Sequence, residues 1–119
     1  MDENLRQIEI LKKIIRYCDQ LDEARLRFGN SLEALESDSL YKSAAAMCVL
    51  QIGELSNHLG ENFKKEFDGI PWSDIIGMRN IAAHHYGEFR SYYLWDTMIN
   101  DIDFLRDYCI TCIESLSST

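Results

Sequence analysis

The sequence predicts an all-α protein, a bundle of four to five helices. Three observations carry this expectation. The 119 residues hold one proline and six glycines, so helix breakers are scarce. Long segments repeat apolar residues at spacings of three and four, the period of one helix face. No segment alternates apolar and polar residues as a half-buried strand does.

Residues 4–28 predict a long amphipathic helix. Leu5, Ile8, Leu11, Ile15 and Cys18 form its stripe, flanked by Ile14 and Leu21. Gly29-Asn30 stops it. Residues 31–36 have room for one short turn of helix, and Ser37-Asp38-Ser39 offers a new N-cap. The most apolar helix runs from about Ser39 to Leu59. Its segment Ala44-Ala45-Ala46-Met47-Cys48-Val49-Leu50 has no polar side, which predicts a central helix buried all round. Phe63 and Phe67, four apart within residues 60–69, predict a short helix with one apolar edge. Pro71, in Ile70-Pro71-Trp72, stands where a missing N–H does no harm and opens the next helix. The buried side of that helix is Ile75, Ile76, Met78, Ile81 and Ala82, and Gly77 is expected to admit a close neighbour. Residues 89–114 predict one last long helix, with Leu94, Met98, Ile102, Leu105, Cys109 and Cys112 on its inner side and Trp95 adding bulk. Residues 115–119 are expected to fray. No repeat or linker is visible, so residues 1–119 are expected to form a single domain.

The composition, 46% hydrophobic and 27% charged, is that of a globular chain. No stretch of about 18 apolar residues predicts a membrane span. The first residues, Met1-Asp2-Glu3-Asn4, lack the basic-then-apolar pattern of a signal peptide, and a cytoplasmic protein is expected. The net charge of −8, with a pI near 4.7, argues against a protein that coats nucleic acid, since neutralising phosphates takes an excess of Lys and Arg. DNA is not an expected partner. The charge leaves room for a small cationic site that handles one phosphodiester, and for an acidic surface that meets a basic partner. Of the four cysteines, Cys109 and Cys112 have CxxC spacing inside a helical pattern. With no second CxxC or His pair to complete a zinc site, small core residues are the expected reading.

One stretch concentrates the chemistry: Arg79-Asn80-Ile81-Ala82-Ala83-His84-His85-Tyr86, placed before Gly87. The helix is expected to end near His84, so that Arg79, Asn80, His84 and Tyr86 converge at one helix end. Histidine titrates near neutral pH, and the arginine fork fits phosphate. Together they suffice for metal-independent RNA cleavage, with His84 taking the proton of a ribose 2′-OH and Arg79 stabilising charge on phosphorus. The plainer reading also stands: a histidine near a helix C-terminus complements the dipole, and an arginine is solvated or ion-paired. Glu54 follows the buried segment of the central helix. Either it marks that helix's wet end, or it points to Arg79 or His84 and orients them. His58 reads as a surface residue.

The same residues resemble a known family. Arg79 to Tyr86 fits the R-x4-H-x-Y motif of the HepT-like toxins, a branch of the HEPN superfamily. Ile52-Gly53-Glu54, Ile70-Pro71-Trp72, Gly77-Met78-Arg79-Asn80 and Leu94-Trp95 are similar to further family motifs in the same order. The resemblance implies a HEPN-type up-and-down bundle that forms a homodimer, with the motif lining a cleft between subunits. It implies a metal-independent endoribonuclease, the toxin of a type II toxin–antitoxin pair, leaving 2′,3′-cyclic phosphate ends. Carried onto this chain, Arg79 and His84 are the catalytic pair and Asn80 a support for the histidine or the phosphate. The implied partners are RNA and a minimal nucleotidyltransferase antitoxin, which transfers AMP to the motif tyrosine, here Tyr86. No cofactor or metal is implied. The chain departs from the pattern at His85, where aspartate is frequent; a second imidazole there is either a general acid or an exposed loop residue. The competing expectation is a non-catalytic module that binds a nucleotide or docks the antitoxin.

Overall fold

Each helix begins and ends where a local signal dictates. The computed structural model describes residues 2–84 and 91–118, and for residues 80–84 the backbone alone. Seven helices follow one another among the described residues, and none of those residues is in a strand. The all-α bundle is as expected, although the chain divides into more helical segments than four or five.

Helix α1 is Glu3–Phe28. The Asp2 carboxylate caps it by accepting the Asn4 N–H at 3.0 Å, and Arg25 and Arg27 sit in its last turn, where cations suit the dipole. It stops at Gly29, whose φ of +130° is left-handed space that a side chain rarely enters. The inward stripe is Gln7, Ile8, Leu11, Ile14, Cys18 and Leu21. Leu5 is exposed and Ile15 half-buried, so the stripe runs through Ile14 and not, as the spacing suggested, through Leu5 and Ile15. Buried Gln7 is satisfied: its side-chain carbonyl accepts the Gly60 N–H at 3.0 Å, and its amide donates to Glu3.

Helix α2, Leu32–Ser37, is capped by Ser31, whose hydroxyl accepts the Ala34 N–H. Helix α3, Ser39–Asn57, is capped by Asp38, which accepts from Leu40 and Tyr41. Both caps fall where the sequence offered them. Helix α3 packs against α1 on one side and α5 on another, burying Tyr41, Ala45, Ala46, Cys48, Val49, Ile52, Gly53 and Ser56. It is not buried all round. Leu40, Ala44 and Met47 are exposed, so one apolar side of the central helix lies open among the described residues.

Helix α4, Glu61–Glu66, turns Phe63 and Phe67 against each other, ring centroids 4.8 Å apart. Trp72 and Tyr108 extend this aromatic cluster. The Trp72 indole N–H donates to the Phe67 carbonyl at 2.7 Å, and the Tyr108 hydroxyl accepts the Gly69 N–H at 2.9 Å. The cluster thereby fixes the start of α5, Trp72–His84, where the Trp72 N–H donates to the Ile70 carbonyl and the Asp74 and Ile75 N–H groups donate to the Pro71 carbonyl. Of the predicted inner side of α5, Ile75 is buried and Ile76 and Met78 half-buried, while the side chains of Ile81 and Ala82 lie outside the described residues.

The predicted last helix is broken by one residue. Helix α6 is Ser91–Asn100 and α7 is Ile102–Ser117. Asp101 departs from ideal helix, with φ −108°, in the run Asn100-Asp101 of weak helix formers. Helix α7 continues to Ser117, so residues 115–117 are helical where fraying was expected. The predicted inner residues Leu94 to Cys112 are all buried. Helix α7 lies along α1, tied by Arg106, which reaches Asp19 and Asp103 at 2.9 Å each, Asp22, and the Cys18 carbonyl. All four cysteines are free and buried, so the CxxC pair is core.

Candidate active site

The site begins with a glycine. A Cβ built at Gly53 on α3 would stand 2.7 Å from the Arg79 Cβ and 3.0 Å from the Arg79 backbone nitrogen on α5. Only a residue without a side chain lets the two helices cross this closely. The glycine expected to admit a neighbour, Gly77, does not: nothing lies within 4 Å of the Cβ it lacks. The close approach was assigned to the wrong partner helix. The signal that would have found Gly53 is a lone glycine inside a strong helix-forming run, directly before a carboxylate.

The crossing sets the next contact. Glu54, one residue on from Gly53, accepts a charged hydrogen bond from Arg79, Nη1 to Oε1 at 3.2 Å. Of the two expectations for Glu54, the structure holds the second, towards Arg79. The side chains are 31% and 42% exposed, so water screens the pair, and such pairs contribute about 0–1 kcal/mol. The consequence is positional. A flexible arginine is held at a partly open crossing, with its guanidinium beside solvent, where it can meet a phosphate.

Arg79, Asn80 and His84 all belong to the last turns of α5, which is described through His84. The side chains of Asn80 and His84 lie outside the described residues, as do His85, Tyr86 and Gly87 entirely. His58 is exposed at the C-cap of α3, and its carbonyl accepts from Arg6 at 3.0 Å. Among the described residues no cluster of His, Cys, Asp or Glu is arranged to hold a metal ion. The buried thiols are poor nucleophiles: burial pushes Cys18 up to about 12 and Cys48 and Cys112 up to about 11, and raises Cys109 as well.

An all-α bundle with an arginine paired across its central helix crossing, five residues before a histidine, has the layout of a HEPN-type domain. The family model described as "Ribonuclease HepT-like" matches residues 5–112, and the chain belongs to that family. Two curated proteins are similar to it. One, named "Putative RNase", from Methanocaldococcus jannaschii, is 33% identical over 70 residues, which is 59% of this chain and 64% of the relative; this chain thus spans under two thirds of that relative's length. The other, also named "Putative RNase", from Caldanaerobacter subterraneus subsp. tengcongensis, is 29% identical over 96 residues, 81% of this chain and 84% of the relative. No solved structure matches.

Proposed function

We propose that the chain is a metal-independent endoribonuclease, the toxin of a toxin–antitoxin pair. The observation that carries the reading is the Gly53–Arg79 crossing with Glu54 on the guanidinium, which gives the R-x4-H spacing a held cation. Family membership and the ribonuclease names of the two relatives support it.

The proposed reaction is transesterification within RNA. His84 removes the proton of a ribose 2′-OH, and the 2′ oxygen attacks the adjacent phosphorus. Arg79 stabilises the added negative charge on the non-bridging oxygens. The bond from phosphorus to the 5′ oxygen then breaks, and that oxygen takes a proton from the imidazolium. The products are a 2′,3′-cyclic phosphate and a 5′-hydroxyl, and the base is restored. General base catalysis supplies about 10²–10⁴-fold, and a placed charge donor adds on the order of 10²–10³-fold. Glu54 orients Arg79, and Asn80 supports the histidine or the phosphate.

The assembly belongs to the same proposal. Leu40, Ala44 and Met47 stand at spacings of four and three on the exposed side of α3, and the same row continues through Gln51 to Glu54. A second copy seated on this row makes a homodimer with both sites near the two-fold axis. The proposed antitoxin is a minimal nucleotidyltransferase that adds AMP to Tyr86. A bulky anion near Arg79 would compete for the cation that RNA needs.

The test is RNA cleavage in EDTA by protein whose intact mass excludes an adduct. His84→Ala and Arg79→Ala are expected to lose at least about 10²-fold in rate. Cleavage that persists in His84→Ala overturns the mechanism. The net charge of −8 favours a second reading, a non-catalytic nucleotide-binding or docking module. Folded wild type that holds a nucleotide and leaves all RNA intact would establish it.

A further inference from the structure

The acidity of this chain sets a problem for any ribonuclease reading. Most of the affinity of ordinary nucleic-acid binders comes from Lys and Arg on phosphates, and this protein carries a net charge of −8. One held arginine cannot supply that grip. Binding of an unpaired strand has a second source, stacking of bases on aromatic side chains. Among the described residues, one pair of exposed rings offers it.

On the first turn of α6, Tyr92 and Tyr93 are 56% and 55% exposed. Their rings lie against each other, centroids 4.4 Å apart and tilted by 47°. The helix is seated by its neighbours on both sides of the pair, Ser91 and Leu94, which are buried, so the two rings are held outward. Trp95, three residues on from Tyr92 and thus on a neighbouring side, is half-buried, and the Arg25 guanidinium lies 5.5 Å from its ring centre. The strip offers two open π-faces with a cation one step beyond.

The strip is also close in the chain to the candidate active site. Asp74 and Met78 of α5 line one groove with Thr97, Asn100 and Asp101 from the end of α6. Six residues, 85–90, join His84 to Ser91, so the first turn of α6 lies within about 25 Å of the end of α5, a reach of a few nucleotides of extended strand.

We infer that Tyr92 and Tyr93 form a base-stacking subsite for unpaired RNA, holding the strand that the candidate active site cuts. The inference rests on the ribonuclease reading and names its substrate form: a strand whose bases are free, since duplex bases present no open faces. Affinity then depends on stacking more than on phosphate charge, and falls only shallowly with salt.

The experiment uses Tyr92→Ala, Tyr93→Ala and the matching phenylalanine variants, with folding checked by circular dichroism and assembly by light scattering. Two readouts are taken, KM for cleavage of a single-stranded oligonucleotide and polarisation of a labelled single strand against a duplex. The alanine variants are expected to raise KM and Kd on the order of 5- to 100-fold. Phenylalanine, which keeps the ring, is expected to restore most of the loss. An abasic stretch within the few nucleotides around the cut should weaken wild type and add little to the alanine variants. Unchanged KM and Kd in the alanine variants overturn the subsite while leaving the nuclease reading intact. A change of assembly with unchanged Kd per chain also overturns it, and makes the pair an interface between copies. If wild type cleaves nothing, the nuclease reading fails, and the polarisation series alone decides whether the rings bind RNA.

Discussion

Single atoms decide several features of this protein. Tyr41 is fully buried, its ring stacked on Phe28 at 5.1 Å, yet its hydroxyl has no hydrogen-bond partner among the described residues. An unsatisfied buried polar group costs about 1–3 kcal/mol. Tyr41→Phe removes the hydroxyl and keeps the stacked ring, so it is expected to raise the midpoint of urea unfolding. A lower midpoint would show that the hydroxyl is satisfied after all. Arg79 illustrates the limit of reading single residues from sequence. Its identity and its spacing to His84 were legible, because both are local. That Glu54 holds it was open, because the contact joins residues 25 apart and depends on where two helices cross. His58 was legible as a surface residue because it follows the last apolar turn of α3.

At the scale of elements, the caps were the most legible feature. Ser31 and Asp38 bond backbone N–H groups two or three residues ahead, a relation fixed by the chain itself. The inner face of α1 was displaced because Leu5 and Ile15 fit the three/four spacing as well as Ile14 does, and only the position of α3 and α7 chooses between them. The break at Asp101 was missed because the apolar spacing runs through it without interruption. The two helix glycines make the sharpest element-scale test. Gly53→Ala forces a methyl to 2.7 Å from the Arg79 Cβ and should destabilise the fold by about 1–3 kcal/mol while displacing Arg79. Gly77→Ala meets nothing and should stabilise α5 by about 0.5–1 kcal/mol. Urea unfolding of both variants checks the pair. Equal effects would mean that the α3–α5 crossing is not the close one.

At the scale of the whole molecule, the buried thiols predict how stability responds to alkali. Folding raises each thiol above its ordinary value of 9.0, so the folded state keeps protons that the unfolded state releases. The thiols' contribution is then constant below pH 9 and is lost as pH rises above it, each thiol lowering stability by about 1.4 kcal/mol per pH unit once its unfolded form is ionised. Burial also raises Tyr41 and Tyr108, which steepens the fall above pH 10. Urea midpoints measured from pH 7 to pH 10.5 test this, and stability that rises above pH 9 would contradict it. The exposed row on α3 is the other whole-molecule feature. The run around Ala44 was read as buried because nothing in an apolar sequence says whether its cover is the same chain. Met47→Glu is expected to convert a dimer to monomer without unfolding it. A dimer that persists would move the interface elsewhere.

The central claim is that Arg79 and His84 cut RNA without a metal, and it is tested most directly by the ends that the cut leaves. A defined single-stranded RNA is incubated in EDTA with adduct-free wild type and with His84→Ala, and the fragments are weighed by mass spectrometry. Wild type is expected to leave fragments ending in 2′,3′-cyclic phosphate, and His84→Ala to leave none. Fragments ending in 5′-phosphate, or equal cutting by both proteins, would contradict the claim.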